Sequence, residues 1–212
     1  MKGLERLEKG YSKDMSLPVL ETQRLIIRPF RMDDLDDIHR ILDIELAEVN
    51  WGHDETKAMN ERRQWLQWTV MSYEQLAKLY QPPYGERAIV LRLRGQLIGA
   101  IGYVPCLAPF KQLPSLRTGA EGLSLYTTEF GLYYAVSPTF QHQGYATEAA
   151  RAMIDYAFNT LKLKRIVATT AYDNAASIGV MRKLGMRVEK NPLSEPPWFQ
   201  VVGILENNPE AS

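Results

Sequence analysis

A strand, a turn and a helix follow one another in the second half of the chain and constrain its fold more than any other feature. Small and apolar residues recur with helical spacing after Gly144; they are Ala146, Ala149, Ala150, Met153, Ile154, Ala157, Phe158 and Leu161. This spacing predicts a helix over residues 144–161 with one face packed on a sheet. Strand-like runs at 129–136 and 165–170 flank the helix. The order predicts a βαβ unit, in which the two strands are parallel.

Weaker patterns predict further elements on both sides of this unit. Apolar runs predict strands at 24–30, 87–93, 96–103, 186–189 and 199–205. Apolar faces predict helices over 33–44, 56–80 and 174–184. Glycine in Arg94-Gly95 favours a tight hairpin turn, and Pro82-Pro83 ends the second helix. The segment 105–122 is expected to be a polar loop, and the aromatic residues of the second helix are expected in the core or in a pocket wall.

Composition fits one domain that needs no covalent or metal support. The 212 residues are 45% hydrophobic, which is enough for an ordinary core. Because 25 Lys and Arg balance 25 Asp and Glu, no general attraction to nucleic acid or membranes is expected. The single Cys106 excludes an internal disulfide, and the spacing of Cys and His offers no zinc site. Without a leader or a run of transmembrane length, a cytoplasmic, metal-free protein is expected.

The two ends of the chain differ from its middle. Residues 1–18 mix charges with Gly, Ser and Pro and lack clean periodicity. We therefore expect an N-terminal extension at 1–18, a single domain at 19–206 and a short tail at 207–212.

The turn before the central helix has the chemistry of a phosphate site. The first N–H groups of a helix and its positive dipole end attract a phosphate or pyrophosphate. Gly144 and Ala146 keep side-chain bulk away from an anion, and Thr147 adds a hydroxyl donor. Close packing alone would explain a glycine in such a turn equally well. The Gly-x-Gly-x-x-Gly and Gly-Lys-Ser/Thr signatures of nucleotide-binding enzymes do not occur in the sequence.

The same turn carries a longer motif that resembles a known family. Gln141-x-x-Gly144-x-Ala146, preceded by Val136-x-Pro138, is similar to the (Arg/Gln)-x-x-Gly-x-(Gly/Ala) pyrophosphate motif of the GNAT acetyltransferase superfamily.

Two other segments resemble the RimJ/RimL-like branch of that superfamily, which acetylates N-termini of ribosomal proteins. Residues 20–29 resemble the branch's opening strand. Asn174-x-x-Ser177, followed by Arg-Lys-Leu-Gly-Met at 182–186, resembles its Asn-x-x-Ser helix and its Lys-Leu-Gly-Phe ending. The resemblance spans about residues 21–205.

The resemblance implies both a fold and a reaction. The fold is α/β, with one mixed, mostly antiparallel sheet of about seven strands, flanking helices and a central βαβ unit that binds acetyl-CoA. The reaction moves the acetyl group to a primary amine by direct attack in a ternary complex. Residues 19–206 would then form an N-acetyltransferase domain. The acceptor stays open between a protein N-terminus and a small-molecule amine. Dimers are common in the branch, so a homodimer is a further expectation.

The resemblance also implies where the cofactor lies. The pantetheine arm would lie in a cleft where the strands ending near Val136 and beginning near Arg165 splay apart. Backbone groups around Tyr134 to Val136 would bind this arm and the acetyl carbonyl, the turn would bind the pyrophosphate, and Asn174 would touch the pantetheine. The residues assigned to acetyl-CoA are Tyr134, Ala135, Val136, Gln141, His142, Gln143, Gly144, Tyr145, Ala146, Thr147, Asn174 and Ser177.

Two residues are assigned to the chemistry. Glu129 shares a strand face with Gly131, which leaves room for an amine, and is the candidate base; a solvated surface glutamate is the alternative. Many family members place a Tyr proton donor where this chain has Met181, so the role passes to Ser177, as in the branch. Asn174 would also cap the helix. None of the histidines, His39, His53 and His142, is assigned as base.

The acceptor pocket is expected from Trp51-Gly52-His53, the helix before Tyr80 and the segment 105–122. Two alternatives stay open besides the enzyme. A non-catalytic acyl-CoA-binding module would keep the turn but not the roles of Glu129 and Ser177. A nucleotide-binding α/β enzyme would need the signatures that are absent.

Overall fold

A single eight-stranded sheet positions every group of the candidate site. The computed structural model describes residues 18–46, 55–81, 84–117, 119 and 122–207. Its strands are β1 (Leu20–Glu21), β2 (Leu25–Pro29), β3 (Glu86–Leu91), β4 (Leu97–Ala108), β5 (Thr127–Val136), β6 (Arg165–Thr170), β7 (Arg187–Lys190) and β8 (Val201–Glu206). Their order across the sheet is β1-β2-β3-β4-β5-β6-β8-β7. Only β5 and β6 are parallel neighbours; the other pairs are antiparallel.

Helices lie on both faces of the sheet. They are α1 (Leu35–His39), α2 (Glu55–Lys78), α3 (Tyr145–Asn159) and α4 (Ala175–Lys183). Short 3-10 segments occupy Met32–Asp34, Phe110–Gln112, Pro114–Leu116 and Pro138–Phe140, and a π segment occupies Arg40–Glu45.

The α3 face of the sheet is covered by α3 and α4. Ala149, Ala150 and Ala157 are fully buried there and pack against apolar side chains of β2 to β6. Because these residues are small, the helix axis can approach the sheet closely. Met181 of α4 is also fully buried in this cluster.

The α2 face of the sheet carries two separate apolar clusters. In one, α1 and α2 pack on β2 to β4 through residues such as Ile38 and Leu66. In the other, the segment around Phe110 packs on β6 and β8. Gly131 and Tyr133 of β5 lie between the two clusters and are partly exposed.

The βαβ prediction is confirmed, because β5, α3 and β6 follow one another and the two strands are parallel. The mixed, mostly antiparallel sheet is confirmed as well. It has one strand more than the seven expected, since residues 20–21 add β1 beside β2. The expected helix over 33–44 is wound as successive 3-10, α and π segments.

Two expectations about the first half of the chain are wrong. Residues 105–108 continue β4 instead of starting a polar loop, because the long β5 supplies their backbone partners as far as Ala108↔Thr127. Trp68 of α2 is 72% exposed. The buried stripe of α2 contains Leu66 and Thr69, and Trp68 lies off this stripe. Pro82 and Pro83 lie outside the described residues.

Candidate active site

The two parallel strands of the sheet separate soon after they meet. Their register pairs only Phe130 with Ile166 and Gly131 with Val167. On its other edge, β5 stays paired with β4 as far as Val136. Residues 132–136 therefore have no strand partner on the β6 side among the described residues. Backbone N–H and C=O groups need partners, so this opening can bind an extended polar chain. Tyr134, Ala135 and Val136 lie along it.

The turn that follows β5 is held by side-chain amides. Gln141 donates from Nε2 to the carbonyl of Val136 at 3.0 Å, and Gln143 donates to the carbonyl of Thr139 at 3.1 Å. His142 and Gly144 adopt positive φ angles of 59° and 83°. Glycine adopts this conformation without strain, which explains Gly144 at the position before α3.

The turn connects the end of the β5 opening to the N-terminus of α3. The first backbone hydrogen bond of the helix runs from the N–H of Glu148 to the carbonyl of Gly144 at 3.0 Å. The N–H groups of Tyr145, Ala146 and Thr147 precede it and are the donors that a helix leaves without internal acceptors. Together with the helix dipole, they favour an anion at this position.

Arg24 also lies at this turn, which its place in the sequence did not indicate. Its Nη1 donates to the carbonyl of Gln143 at 3.0 Å, and its guanidinium lies 4.4 Å from the ring centroid of Tyr145. A Cβ built on Gly144 would lie 3.5 Å from Nη2 of Arg24. The guanidinium therefore borders the side of the turn where an anion would approach. No local pattern reveals this, since the two residues are far apart in sequence.

Glu148 fixes Arg24 in place. Its carboxylate accepts from Nε of Arg24 at 2.6 Å, from the Arg24 N–H at 2.9 Å and from the Thr22 hydroxyl at 2.6 Å. Burial raises the pKa of Glu148, but the hydrogen bonds from Thr22 and Arg24 outweigh it and leave the pKa below its ordinary value. Glu148 is therefore a charged anchor that joins the segment before β2 to the first turn of α3.

A pair of hydroxyl groups lies where α4 meets β5. The Oη of Tyr134 and the Oγ of Ser177 are 2.9 Å apart, and Tyr134 also donates to the Ser177 carbonyl at 3.2 Å. Burial raises the pKa of Tyr134, although the contact with Ser177 opposes it. The Oδ1 of Asn174 accepts from the Ser177 N–H at 3.0 Å, so Asn174 caps the helix. Met181 lies in the core and has no donor group.

Glu129 lies on the α2 face, two residues before the point where β5 and β6 separate. Its Oε1 accepts from Nη1 of Arg165 at 2.5 Å, and Arg165 also donates to Glu206 at 2.7 Å. Burial lowers the pKa of Arg165, but the hydrogen bonds to Glu206 and Glu129 outweigh it and the pKa is raised. Glu129 is thus an ion-paired carboxylate and not a freely solvated one. Within the described part of the chain, its Oε2 accepts no hydrogen bond.

The remaining candidates are less informative. Residues 51–53 lie outside the described residues, so the structure does not locate that part of the expected acceptor pocket. The Nε2 of His39 is buried without a hydrogen-bond partner among the described side chains, whereas His142 is exposed.

The described residues contain no group of three His, Cys, Asp or Glu side chains able to hold a metal ion. Among the helices that the structure describes, none has the length and apolar character needed to cross a membrane.

Several curated proteins similar to this chain are named N-acetyltransferases. The uncharacterized N-acetyltransferase YoaA of Bacillus subtilis is 28% identical over 173 residues, which cover 81% of this chain and 84% of that protein. The spermidine N(1)-acetyltransferase of Escherichia coli is 24% identical, covering 72% and 74%. The uncharacterized N-acetyltransferase YnaD of Bacillus subtilis is 44% identical, but the match spans only 30% of this chain and 36% of that protein.

Solved structures share the fold at low sequence identity. An acetyltransferase from Agrobacterium tumefaciens superposes with a TM-score of 0.64 and 23% identity, covering 92% of this chain and 98% of that one. The ribosomal L7/L12 α-N-protein acetyltransferase RimL, solved in complex with coenzyme A, superposes with a TM-score of 0.59 and 15% identity, covering 88% and 96%.

A protein-family model described as an acetyltransferase (GNAT) domain matches residues 24–187. That range contains β2 to β6, α3 and α4, and hence the turn, the strand opening and the hydroxyl pair. The chain therefore belongs to the GNAT family of acetyl-CoA-dependent acetyltransferases, and it is an N-acetyltransferase.

Proposed function

We propose that this chain acetylates a primary amine with the pantetheine arm of acetyl-CoA in the β5–β6 opening and the pyrophosphate at the start of α3. The observation that carries the proposal is the unpaired β5 edge at 132–136, which leads directly into the turn at Gly144. A single ligand with a peptide-like arm and a diphosphate suits both parts. Arg24 adds a positive charge beside the phosphates.

The acetyl group passes directly from the thioester sulfur to the amine nitrogen. The amine nitrogen attacks the acetyl carbonyl, the N–C bond forms, and the C–S bond breaks. β5 backbone N–H groups stabilise the negative charge that develops on the carbonyl oxygen. Glu129 takes the proton of the amine on the α2 face, and Ser177 gives a proton to the departing thiolate near α4. Both roles are taken from the family resemblance, with Glu129 ion-paired to Arg165 on the α2 face and Ser177 in contact with Tyr134 beside α4.

The acceptor is an amine held on the α2 face, between the two apolar clusters. Relatives with named acceptors include an enzyme for spermidine and, at the level of fold, an enzyme for the N-terminus of a ribosomal protein. Both acceptors are primary amines, so the proposal covers both classes.

The test combines turnover with two variants of one residue. Purified protein is mixed with acetyl-CoA and a panel of primary amines, and thiol release and acetylated product are measured. Asn and Asp both tolerate positive φ, so Gly144→Asn and Gly144→Asp share any backbone cost. Gly144→Asp also places a carboxylate beside the pyrophosphate and Arg24. We expect it to raise the KM for acetyl-CoA at least about tenfold relative to Gly144→Asn, which corresponds to about 1.4 kcal/mol.

Equal KM values for the two variants would contradict the placement of the pyrophosphate. Binding of acetyl-CoA without acetylation of any amine would leave a non-catalytic acyl-CoA-binding module as the function.

A further inference from the structure

Glu86 is a carboxylate on the α2 face that the mechanism above does not use. It is the first residue of β3, and its register partner on β4 is Gly102. Gly102 pairs in turn with Tyr133 of β5. Since side chains of paired residues point to the same face, Glu86 and Tyr133 lie on the same face of the sheet, and β4 places no side chain between them. A Cβ on Gly102 would come within 2.5 Å of the Cα of Glu86, so this gap is built into the backbone packing.

Within the described part of the chain, the Glu86 carboxylate is not ion-paired. Its hydrogen-bond donor is the Thr69 hydroxyl, 3.4 Å away on α2. Arg62 is the cation whose charge acts on Glu86. Its guanidinium donates hydrogen bonds to Asp43, at 2.7 and 2.8 Å, and stacks on Trp65. Across the described ranges, no Lys, Arg or His side chain forms a salt bridge with Glu86. A partly buried carboxylate without a cation is costly, and a bound cation offsets that cost.

Burial affects both ionisable groups beside this gap. It raises the pKa of Glu86, against smaller opposing contributions from Thr69, Arg62 and Trp65. It also raises the pKa of Tyr133 to about 12, with a smaller contribution from the charge of Glu86. Tyr133 therefore remains a neutral phenol beside the carboxylate, and presents an aromatic ring that suits an alkylammonium group.

The position of Glu86 relates it to the site of transfer. Tyr133 lies on β5 within the stretch where β6 has already separated. Two strand spacings, about 10 Å, separate β3 from β5. An acceptor whose reacting amine lies at β5 would therefore extend a second group toward Glu86 if several carbon atoms separated the two.

We propose that Glu86, with Tyr133 and Thr69, forms a subsite for a second, protonated amine of the acceptor. The acceptor class is then an alkyl diamine or polyamine rather than a simple monoamine. This inference rests on the acetyl transfer proposed for the same site. The protonated amine would bind the carboxylate directly, and the neutral amine at the other end would attack the acetyl group.

The experiment compares matched acceptors in matched variants. Acetylation of a series of α,ω-diamines and of monoamines of the same chain lengths is measured for wild type, Glu86→Gln and Glu74→Gln. Glu86→Gln keeps an acceptor for Thr69 and removes only the charge. Glu74→Gln removes an exposed carboxylate from α2 and is the control. Calorimetric binding of the diamines in the presence of CoA is measured for the same three proteins.

We expect wild type and Glu74→Gln to prefer the best diamine over its monoamine by about 10- to 100-fold in kcat/KM, the range of a charge-assisted hydrogen bond. Glu86→Gln should abolish that preference, leave the monoamine value within about twofold and weaken diamine binding by the same factor. A merely structural role would lower both acceptors together.

Equal use of diamines and monoamines by wild type would overturn the subsite but not the proposed acetyl transfer. So would a parallel loss of both acceptors in Glu86→Gln, or activity confined to protein N-termini. If wild type acetylates no amine, the proposed function fails. Calorimetry then tests the subsite independently of turnover. Diamine binding that requires Glu86 would still support the subsite, and absence of diamine binding would overturn it.

Discussion

At the scale of single residues, Glu129 shares its guanidinium partner with another carboxylate. Arg165 bridges Glu129 on β5 and Glu206 on β8, and both contacts are short. The side chain of Glu129 is 19% exposed, so water or an amine can still reach it. This arrangement allows two roles for Glu129, as the base for the amine or as half of a bridge between strands.

Glu129→Gln separates these roles when Glu206→Gln serves as its control. If Glu129 accepts the proton of the amine, Glu129→Gln should lower kcat by about two to four orders of magnitude. The loss should be larger for an alkylamine than for an α-amine, whose ordinary pKa of about 8 leaves more of it neutral. Glu206→Gln removes the other partner of Arg165 and should change kcat by less than about tenfold. Rates measured against pH with both acceptors give the answer; equal losses in the two variants would assign Glu129 to the bridge.

The residue scale also shows what sequence can and cannot predict about this site. The positive φ of Gly144 follows from the need for a tight turn between a strand and a helix, which the local pattern contains. Arg24 and Glu86 could not be assigned, because their surroundings come from residues distant in sequence. Arg24 reads locally as the start of a strand, and Glu86 as an ordinary polar residue before one. The contacts that Arg24 and Glu86 make depend on which strands become neighbours in the sheet.

At the scale of secondary-structure elements, the hydroxyl pair joins the helix α4 to the strand β5. Asn174 caps α4, and the first turn of the helix brings Ser177 to the Oη of Tyr134. The motif Asn-x-x-Ser predicted the cap and the candidate donor. It did not predict that Tyr134, chosen for its backbone, would contribute a side chain as well. Two hydroxyl groups in contact can pass a proton, so either could be the group that meets the thiolate.

Removing each hydroxyl in turn identifies the donor. Ser177→Ala should lower kcat about 100-fold or more while the KM for acetyl-CoA changes little, since thiolate protonation belongs to the transition state. Tyr134→Phe keeps the ring and should cost less, because it removes only the partner that orients Ser177. Ser72→Ala deletes a hydroxyl on α2 whose hydrogen bond is to the Thr69 carbonyl, and serves as control. Steady-state kinetics with acetyl-CoA varied give these values; a larger loss in Tyr134→Phe would make Tyr134 the donor.

The predicted bounds of helices and strands agree best with the structure where a long hydrophobic pattern is compatible with only one type of secondary structure. The predicted strand 165–170 agrees with β6 in both bounds, and the helix predicted over 144–161 contains α3. The error at 105–108 arose because Pro105 and Cys106 carry no strand signal of their own. Their strand conformation is imposed by pairing with β5, which is a tertiary effect.

At the scale of the whole molecule, the order of strands creates the site. β6 pairs with β5 over a short stretch and then follows β8, with which it pairs along its full length. The α3 connection places β6 parallel to β5. The two strands separate after the pair Gly131 and Val167, and beyond this point β6 pairs with β8 alone. The sequence predicted the βαβ unit, but it did not predict that β8 would lie between β6 and β7. The opening is therefore a property of topology and not of a local motif.

Acetyl-CoA should stabilise this topology by binding the folded state. At a concentration 100 times its Kd, a ligand that binds only the folded state adds about 2.7 kcal/mol, which raises the Tm of a domain of this size by about 5–11 °C. Hydrogen exchange should slow mainly at those amides of residues 132–136 that face the β6 side and at the amides of 145–147, because these groups gain partners.

ADP, which has the diphosphate but no pantetheine arm, is the control for this prediction. It should protect the amides at 145–147 and leave those at 132–136 exchanging as before, since the β5 opening stays without a partner. The comparison is made by mass spectrometry of exchanged peptides with saturating acetyl-CoA, with ADP and with neither. If acetyl-CoA protects the β3–β4 hairpin instead, or all strands equally, the cofactor does not lie in the β5–β6 opening.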